Sequence, residues 1–317
     1  MLRSLVRSAA RNIRRYLIGD LPAQQLNTLL LLGKLHAERV RALPSHASIQ
    51  KAEFTVFSQF GEDGILQYLL QRVPLATRFF VEFGVEDYQE SNTRFLLVND
   101  NWSGLVLDSD ARLIEAIRKD PLHWRYDLTA TRAFITRENI DEVLAAQVPS
   151  PDIGLLSIDL DGNDYWVWQA IVSIEPRIVV CEYNSLFGGT RAVTVPYDPS
   201  FSRGQAHFSH LYFGASLAAL CRLGAEKGYD FVGCNSKGTN AFFVRSDLSA
   251  AFEKLRAAEG FVASTHRDSR DEQGNMNYLR GADRGRAIAH LQVLDVEQDR
   301  LVTLGEVIES PSRSPHA

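Results

Sequence analysis

The sequence predicts an α/β fold in which a mostly parallel, seven-stranded sheet ends in an antiparallel hairpin. Short β-rich segments alternate with helical segments between residues 58 and 184, a pattern typical of right-handed βαβ units with helices on both faces of a sheet. Two further β-rich runs are separated only by "SKGT", which indicates a hairpin. With 317 residues, 45% of them hydrophobic, the chain is long enough for one large domain and an appendage.

Each strand is predicted from a short apolar run with polar boundaries, and each helix from apolar residues at intervals of three and four. The first five strands are predicted at 78–85, 103–110, 124–130, 152–161 and 177–184, and the hairpin strands at 229–235 and 240–247. Helices are predicted at 58–73, 91–100, 111–119, 137–147, 165–174 and 212–228, with further helical segments at 248–261 and 284–294. The segment 185–210 is predicted to be a lid or binding loop, because loops of that length in compact domains are usually functional.

The first 50 residues differ from the rest in charge. They contain eight basic and two acidic residues, a formal charge of +6, against −11 for the remainder of a chain of net charge −5. Within residues 1–20, apolar residues recur at helical spacing opposite arginines, which predicts a basic amphipathic helix. Such a helix is typical of contact with an anionic membrane, of a targeting peptide, or of docking on its own domain or on a second subunit of a homo-oligomer. These alternatives stay open.

Composition excludes several other classes of protein. The mild net negative charge argues against a nucleic-acid binder, and no apolar run reaches the length of about 18 residues that a transmembrane helix needs. Cys181, Cys221 and Cys234 lack CxxC spacing, so we interpret them as core residues of a cytoplasmic protein. We therefore divide the chain into a basic helical arm (1–50), a ligand-binding domain (51–250) and a helical extension with a disordered tail (251–317).

Polar residues gather at the carboxyl ends of the predicted strands, where open parallel sheets bind ligands. In strand order they are Glu82 and Gly84, Asp108, Asp127, Asp159 and Asp161, and Glu182 and Asn184. Carboxylates held this close repel one another unless a cation or a proton compensates their charge. We therefore expect these residues to form the mouth of an active site.

The turn after the first strand indicates the kind of cofactor. Asp108 lies 24 positions beyond Gly84, a spacing that suits hydrogen bonds to ribose hydroxyls. The turn "EFGVEDYQES" has one glycine instead of the G-x-G-x-x-G of dinucleotide sites, and its acids would repel a diphosphate. The same acids suit a sulfonium and an ammonium group, so S-adenosylmethionine is favoured over NAD.

Five segments, "SQFGEDGIL", "FFVEFGV", "GLVLDSD", "LLSIDLDGNDYWVW" and "GYDFVGCNSKGTNAFFVR", together resemble class I S-adenosylmethionine-dependent methyltransferases, nearest the FkbM-like group, over about residues 55–248. The resemblance implies a Rossmann-like methyltransferase that modifies a hydroxyl of a sugar, glycan or secondary metabolite. It also implies that Glu82 and Gly84 hold the methionine part of the cofactor and that Asp108 binds the ribose. By the same resemblance, Asp127 lies near the adenine and Asp159 borders the cofactor. The family's second and third glycines are missing from the first turn. A second hypothesis therefore stays open, in which the chain is a binding module without catalytic activity.

Asp159, Asp161, Glu182 and Asn184 resemble the Asp, Asp and Asn ligands of metal-dependent O-methyltransferases. Mg²⁺ prefers such oxygen ligands and would lower the pKa of an acceptor hydroxyl. The alternative is that residues 161–164 form a turn in which Asp164 caps the next helix. For the proton transfer itself we expect Asp159 together with His207 or His210, because imidazole titrates near neutral pH.

Overall fold

The computed structural model describes residues 21–309, so the predicted basic helix at 1–20 and the tail from residue 310 lie outside the described residues. The main sheet contains seven strands in the order β3-β2-β1-β4-β5-β8-β7. They are β1 (Phe79–Phe83), β2 (Ser103–Asp108), β3 (Leu128–Arg132), β4 (Leu155–Ile158), β5 (Ile178–Glu182), β7 (Tyr229–Cys234) and β8 (Asn240–Arg245). Strands β1 to β5 pair in parallel, and β8 runs antiparallel between β5 and β7. The predicted Rossmann-like fold, including its terminal hairpin, is confirmed.

The register of the central strands brings their carboxyl ends to one edge. Glu82 of β1 lies beside Val106 of β2 and Ser157 of β4. Alternation along β1 sends Val81 and Phe83 into one apolar layer and Phe80 into the other. Because both faces of the sheet are covered, the residues free to meet a ligand are those at the strand ends.

The helices pack on both faces of this sheet. The α-helices of the described chain are Leu21–Arg41, Glu62–Leu70, Arg94–Asp100, Ala111–Lys119, Pro121–Arg125, Ile140–Gln147, Asp164–Ala170, Arg203–Ala206, Leu217–Glu226, Ala257–Gly260, Ala282–Ile288 and Leu304–Glu309. Short 3₁₀ helices cover Ile49–Ala52, Ser185–Phe187 and Ser246–Ala251. Between residues 21 and 309, none of the helices is both long enough and apolar enough to cross a membrane.

The third strand is present, but its predicted range of 124–130 begins too early and ends too early. Its first two residues, 124 and 125, end a short helix, Pro121–Arg125, which forms because Asp120 accepts a hydrogen bond from the Leu122 amide and Pro121 stands at the first helical position. The strand β3 therefore begins only at Leu128. As a result Asp127 precedes β3 instead of ending it, and its carbonyl accepts a hydrogen bond from the Gly104 amide at the amino end of β2.

The extension predicted as helical after residue 250 also contains strands. A second, antiparallel sheet has the order β10-β9-β6 and joins β6 (Val193–Thr194), β9 (Gln292–Asp295) and β10 (Arg300–Thr303). Asp295 is buried in it and accepts hydrogen bonds from Arg191 at 2.7 Å and from two backbone amides. The helix predicted at 284–294 was wrong in its second half, because that half pairs with a strand about 100 residues earlier. The division of the chain at residues 50 and 250 stays a prediction.

Candidate functional site

The carboxyl ends of β1, β2, β4 and β5 open into a cavity of about 710 Å³. All strand-end residues predicted from the sequence line it except Asp127: they are Glu82, Gly84, Asp108, Asp159, Asp161, Glu182 and Asn184. Asp127 lies at the opposite edge of the sheet, so it has no place beside a ligand in this cavity. The sheet therefore gathers the predicted residues as expected, with one exception caused by the misplaced third strand.

The turn after β1 requires its single glycine. Gly84 has a φ of +69°, and a Cβ on it would meet the carbonyl oxygen of Asp159 at 1.8 Å. Only glycine allows both the left-handed backbone and this close approach. Gly84 therefore holds the ends of β1 and β4 together at the floor of the cavity.

The Glu82 carboxylate organises the loop that follows. It accepts hydrogen bonds from Ser91 Oγ at 2.6 Å, from the Asn92 amide at 2.8 Å and from Thr93 Oγ1 at 2.5 Å. Burial raises the pKa of Glu82, against the lowering effect of these hydrogen bonds. The side chain thus fixes the loop that leads into the helix Arg94–Asp100.

Asp108 lies at the mouth of the cavity, and its carboxylate can accept further hydrogen bonds. One of its carboxylate oxygens accepts from the Glu86 amide at 3.0 Å and the other from the Asp110 amide at 2.8 Å. Each oxygen keeps a further lone pair. The two amides therefore orient the carboxylate and leave it free to accept hydrogen bonds from two neighbouring hydroxyls.

The wall that follows β3 is apolar. Ala133, Phe134 and Ile135 line the cavity there, and the Phe134 side chain is 56% exposed. They replace the acid that the sequence placed in this position. The signal for them in the sequence is weak, because "AFI" directly after a short strand has no periodicity of its own.

The segment "SQFGEDGIL" forms another wall instead of the start of a long helix. Asp63 is fully enclosed and accepts hydrogen bonds from the amides of residues 56–58, and Glu62 accepts one from the Phe60 amide at 2.8 Å. Gly61 has a φ of +103°, so the helix begins only at Glu62. These acids hold Gln59 and Phe60 against the cavity.

Three carboxylates form an acidic cluster within the cavity. Asp159, Asp161 and Glu182 can each place one oxygen within 4.8 Å of the other two. Burial, followed by the charges of the neighbouring acids, raises the pKa of both Asp159 and Glu182 well above the ordinary value. The Oε2 atom of Glu182 is buried without a hydrogen-bond partner. This arrangement favours binding of a cation or of a shared proton.

The nearby Asp164 and Asn184 have structural roles. Asp161 has a φ of +53°, as the turn interpretation predicted. Asp164 does not cap the helix as that interpretation expected: it is the first helical residue, and it accepts hydrogen bonds from the amides of Leu160 at 2.7 Å and Gly162 at 3.0 Å within the turn. The Asn184 amide nitrogen donates to the carbonyls of Leu211 and Phe213, and its oxygen caps the helix Ser185–Phe187. Because its amide is committed to the backbone, we leave Asn184 out of the set of candidate metal ligands.

The two histidines predicted as general bases do not line the cavity. The Nδ1 atom of His207 lies 2.7 Å from Ser209 Oγ, and its ring packs on Phe208. The carbonyl of His210 accepts a hydrogen bond from Arg203 Nε, but the imidazole of His210 is not among the groups that border the cavity. The same segment does reach the cavity after β6, but it lines the cavity with Phe201 and Arg203 instead of with the two histidines.

Four residues that line the cavity from the segments after β6 were missed in the sequence: Arg203, His266, Asp268 and Arg284. The Arg203 guanidinium donates to Asp161 at 2.5 Å, contacts Asp268 at 3.3 Å and lies over the Phe213 ring at 3.9 Å. Three of the four come from the polar loop 264–277 and the helix after it. No local pattern in the sequence marks them, because they reach the cavity only through the tertiary fold.

Several solved structures are similar to this chain. The N-terminal domain of EvdMO1 with SAH bound is 12% identical, with 66% of this chain and 92% of that chain covered and a TM-score of 0.39. S-adenosylmethionine-dependent methyltransferases from Clostridium acetobutylicum and Aquifex aeolicus are each 8% identical, with TM-scores of 0.33 and 0.34. They cover 52% and 62% of this chain and 83% and 94% of their own.

These TM-scores lie below 0.5. The fold is therefore identified by its strand order and not by its similarity to these structures. No protein-family model and no curated protein matches the chain. The function is therefore inferred from the residues that line the cavity.

Proposed function

We propose that this chain is an S-adenosylmethionine-dependent methyltransferase that modifies a hydroxyl group of a small molecule or glycan. One observation carries the proposal: the acids at the strand ends converge on a single cavity beside a tight glycine turn. A carboxylate-rich cavity of this kind favours a ligand with positive charge over a diphosphate. S-adenosylmethionine has both a sulfonium and an ammonium group.

The cofactor is proposed to lie along the ends of β1 and β2. Its methionine part would run beside Gly84, which lines the cavity in the tight turn against the Asp159 carbonyl. Asp108 would accept hydrogen bonds from the ribose hydroxyls. The adenine would pack on Phe134 and Ile135, which line the cavity where the family resemblance implied Asp127.

The acidic cluster is proposed to act on the acceptor. Its three carboxylates and the unpartnered Oε2 of Glu182 fit a divalent cation. Asp159, Asp161 and Glu182 would hold it, and the positive charge would lower the pKa of an acceptor hydroxyl. During transfer the acceptor oxygen bonds to the methyl carbon while the C–S bond breaks and sulfur keeps the electron pair. The hydroxyl proton passes to a carboxylate of the cluster, for which we propose Asp159.

Binding of S-adenosylhomocysteine, the product, tests the cofactor site by isothermal titration calorimetry. We expect Asp108→Asn to weaken binding at least about tenfold, because a charged acceptor of two hydrogen bonds is lost. Asp127→Asn is the matched control, since it makes the same chemical change outside the cavity, and it should leave the affinity unchanged. Equal affinities for the two variants would contradict the proposed cofactor site.

The same protein then distinguishes an enzyme from a binding module. Transfer of a labelled methyl group from S-adenosylmethionine to a panel of hydroxylated sugars and phenols would support the methyltransferase. Tight binding of S-adenosylhomocysteine with no transfer to any acceptor would favour the non-catalytic module. Failure to bind S-adenosylhomocysteine would contradict both.

We also propose a peripheral contact with anionic membranes through the amino-terminal arm. Leucines on the outward face of the helix Leu21–Arg41 are exposed: Leu31 by 62%, Leu32 by 49% and Leu35 by 67%. The opposite face, with Gly33, is buried against the domain. Exposed leucines directly after a basic amphipathic segment are typical of helices that lie in a membrane interface.

A further inference from the structure

We infer that the methyl acceptor carries an anionic group, a carboxylate or a phosphate, which is bound by Arg284 together with Arg203 and His266. This inference rests on the proposed function, because it concerns the part of the same cavity that would hold the acceptor. The three residues line the cavity from the segments that follow β5, whereas the proposed cofactor residues lie at the ends of β1 and β2. We call Arg203, His266 and Arg284 the basic wall of the cavity and the acids at the strand ends its acidic rim.

Arg284 is buried without enough partners for its five N–H groups. Its side chain is only 8% exposed, yet Nε has no hydrogen-bond partner. Nη1 donates to the Ser264 carbonyl at 3.2 Å, and Nη2 lies 3.6 Å from the Asp268 carboxylate. A buried guanidinium is normally paired, because leaving its donors unmatched costs free energy. An anion in the cavity would supply the missing acceptors after a small shift of the side chain.

The one carboxylate beside Arg284 is shared. Asp268 lies 3.3 Å from Arg203 and 3.6 Å from Arg284, both longer than the 2.7–2.9 Å typical of charge-assisted hydrogen bonds. Its side chain is half exposed to solvent, which weakens its interaction with either arginine. Arg203 has a closer partner in Asp161, at 2.5 Å, whereas Asp268 is the carboxylate that the structure places within 4 Å of Arg284. The positive charge of Arg284 is therefore only partly compensated by the protein itself.

The wall is held in place by backbone contacts. The Ser264 amide donates to Ser185 Oγ at 3.0 Å, and the Arg270 amide donates to the Ser209 carbonyl at 3.2 Å. The His266 ring packs against Phe60 with 4.6 Å between ring centroids. Donors fixed in this way lose little conformational entropy when a ligand binds, so they can give specificity.

The charges around the cavity would also orient the acceptor. An anionic group is repelled by the strand-end acids and attracted to the wall of Arg284, so only the opposite end of the molecule would reach the acidic cluster. That end would present the hydroxyl to be methylated. The wall would therefore set the substrate preference of this chain.

Three probes that share one ring test the inference: D-glucose, D-glucuronate and D-glucose 6-phosphate. Each is titrated at constant ionic strength into protein saturated with S-adenosylhomocysteine, and binding is followed by ligand-observed NMR. We expect at least one of the two anions to bind about tenfold or more tightly than glucose. The anion that binds better identifies a carboxylate or a phosphate as the preferred group.

Variants of two arginines on one helix locate the effect. Arg284→Gln should reduce the affinity for the anion to that for glucose, and Arg284→Lys should retain part of the preference. Arg286→Gln is the matched control, because Arg286 lies on the same helix but is exposed and pairs with Asp283, so it should behave as the wild type. The affinity of each variant for S-adenosylhomocysteine reports separately on folding and on the proposed cofactor site.

Two results would overturn the inference while leaving the proposed function intact. One is binding of S-adenosylhomocysteine together with no preference for either anion over glucose, including the case in which no probe binds. The other is an Arg284→Gln variant that binds S-adenosylhomocysteine normally and keeps the anion preference. Loss of S-adenosylhomocysteine binding by the wild type would instead contradict the proposed function.

Discussion

Substitution of the glycine after β1 should disrupt both the fold and the cofactor site. Gly84→Ala places a Cβ 1.8 Å from the Asp159 carbonyl oxygen, a contact that requires the end of β4 to move by roughly 1 Å. The left-handed backbone costs an alanine about 1–2 kcal/mol, and forcing the two strand ends apart costs about 1–3 kcal/mol more. We therefore expect a loss of about 2–5 kcal/mol in the free energy of unfolding.

Gly228→Ala separates these two contributions. Gly228 has a φ of +82°, but a Cβ there would have no neighbour within 4 Å. Its substitution should cost only the backbone contribution, about 1–2 kcal/mol. The difference between the two variants then measures the contact with Asp159.

Urea unfolding and calorimetric titration with S-adenosylhomocysteine provide the two measurements. Gly84→Ala should lose binding under conditions where it is still folded, because Asp159 and the floor of the cavity are displaced, whereas Gly228→Ala should bind normally. If Gly84→Ala proved as stable as Gly228→Ala and bound S-adenosylhomocysteine equally well, the reasoning about this close contact would be refuted.

The remaining predictions concern the acidic cluster, the second sheet and the arm. Glu182→Gln should weaken Mn²⁺ binding about tenfold or more, as measured by electron paramagnetic resonance. Glu90→Gln is the control, because it removes an exposed charge at the same cavity, and it should leave Mn²⁺ binding unchanged. Equal effects of the two variants would argue against the cluster as a metal site. Burial raises the pKa of Asp295, but its hydrogen bonds from an arginine and two amides outweigh this and lower the pKa overall. The ionised Asp295 carboxylate therefore stabilises the folded state fully above the unfolded pKa of about 3.9, and this stabilisation is lost as the pH falls through the lower pKa of the folded state. Asp295→Asn should therefore cost about 2 kcal/mol at pH 7, and urea unfolding at pH 3 should show a smaller difference; a constant difference would contradict the ion pair. The double variant Leu31→Ser and Leu35→Ser should reduce sedimentation with anionic liposomes without changing S-adenosylhomocysteine affinity, and unchanged sedimentation would discard the membrane contact.

The acidic rim could be predicted from the sequence because each of its residues follows a strand that the local pattern reveals. Glu82, Asp108, Asp159 and Glu182 all come at or directly after an apolar run, and parallel pairing then brings these ends to one edge. The argument needs the strand boundaries to be right within about two residues. Where a boundary was wrong, at Asp127, the residue moved to the opposite edge of the sheet.

The histidines show the opposite situation. His207 and His210 were attractive because of their chemistry, but no strand or helix with a defined position in the sheet supports them. Loops have no periodicity, so their path depends on contacts with distant segments. His266 reaches the cavity through such contacts, although nothing in its own neighbourhood distinguishes it from the other polar residues of that loop.

The sequence by itself determined the seven-stranded sheet, its antiparallel hairpin and the acids at the strand ends, because apolar periodicity and strand length are properties of short segments. Only the tertiary structure decided that β6 pairs with β9, that Asn184 is a structural cap, and that Arg203 and Arg284 form a basic wall. These features join residues separated by up to about 100 positions, and the free energy that selects such contacts comes from burial and pairing in the complete fold. The acidic rim of the cavity therefore follows from local sequence patterns, whereas its basic wall depends on long-range packing.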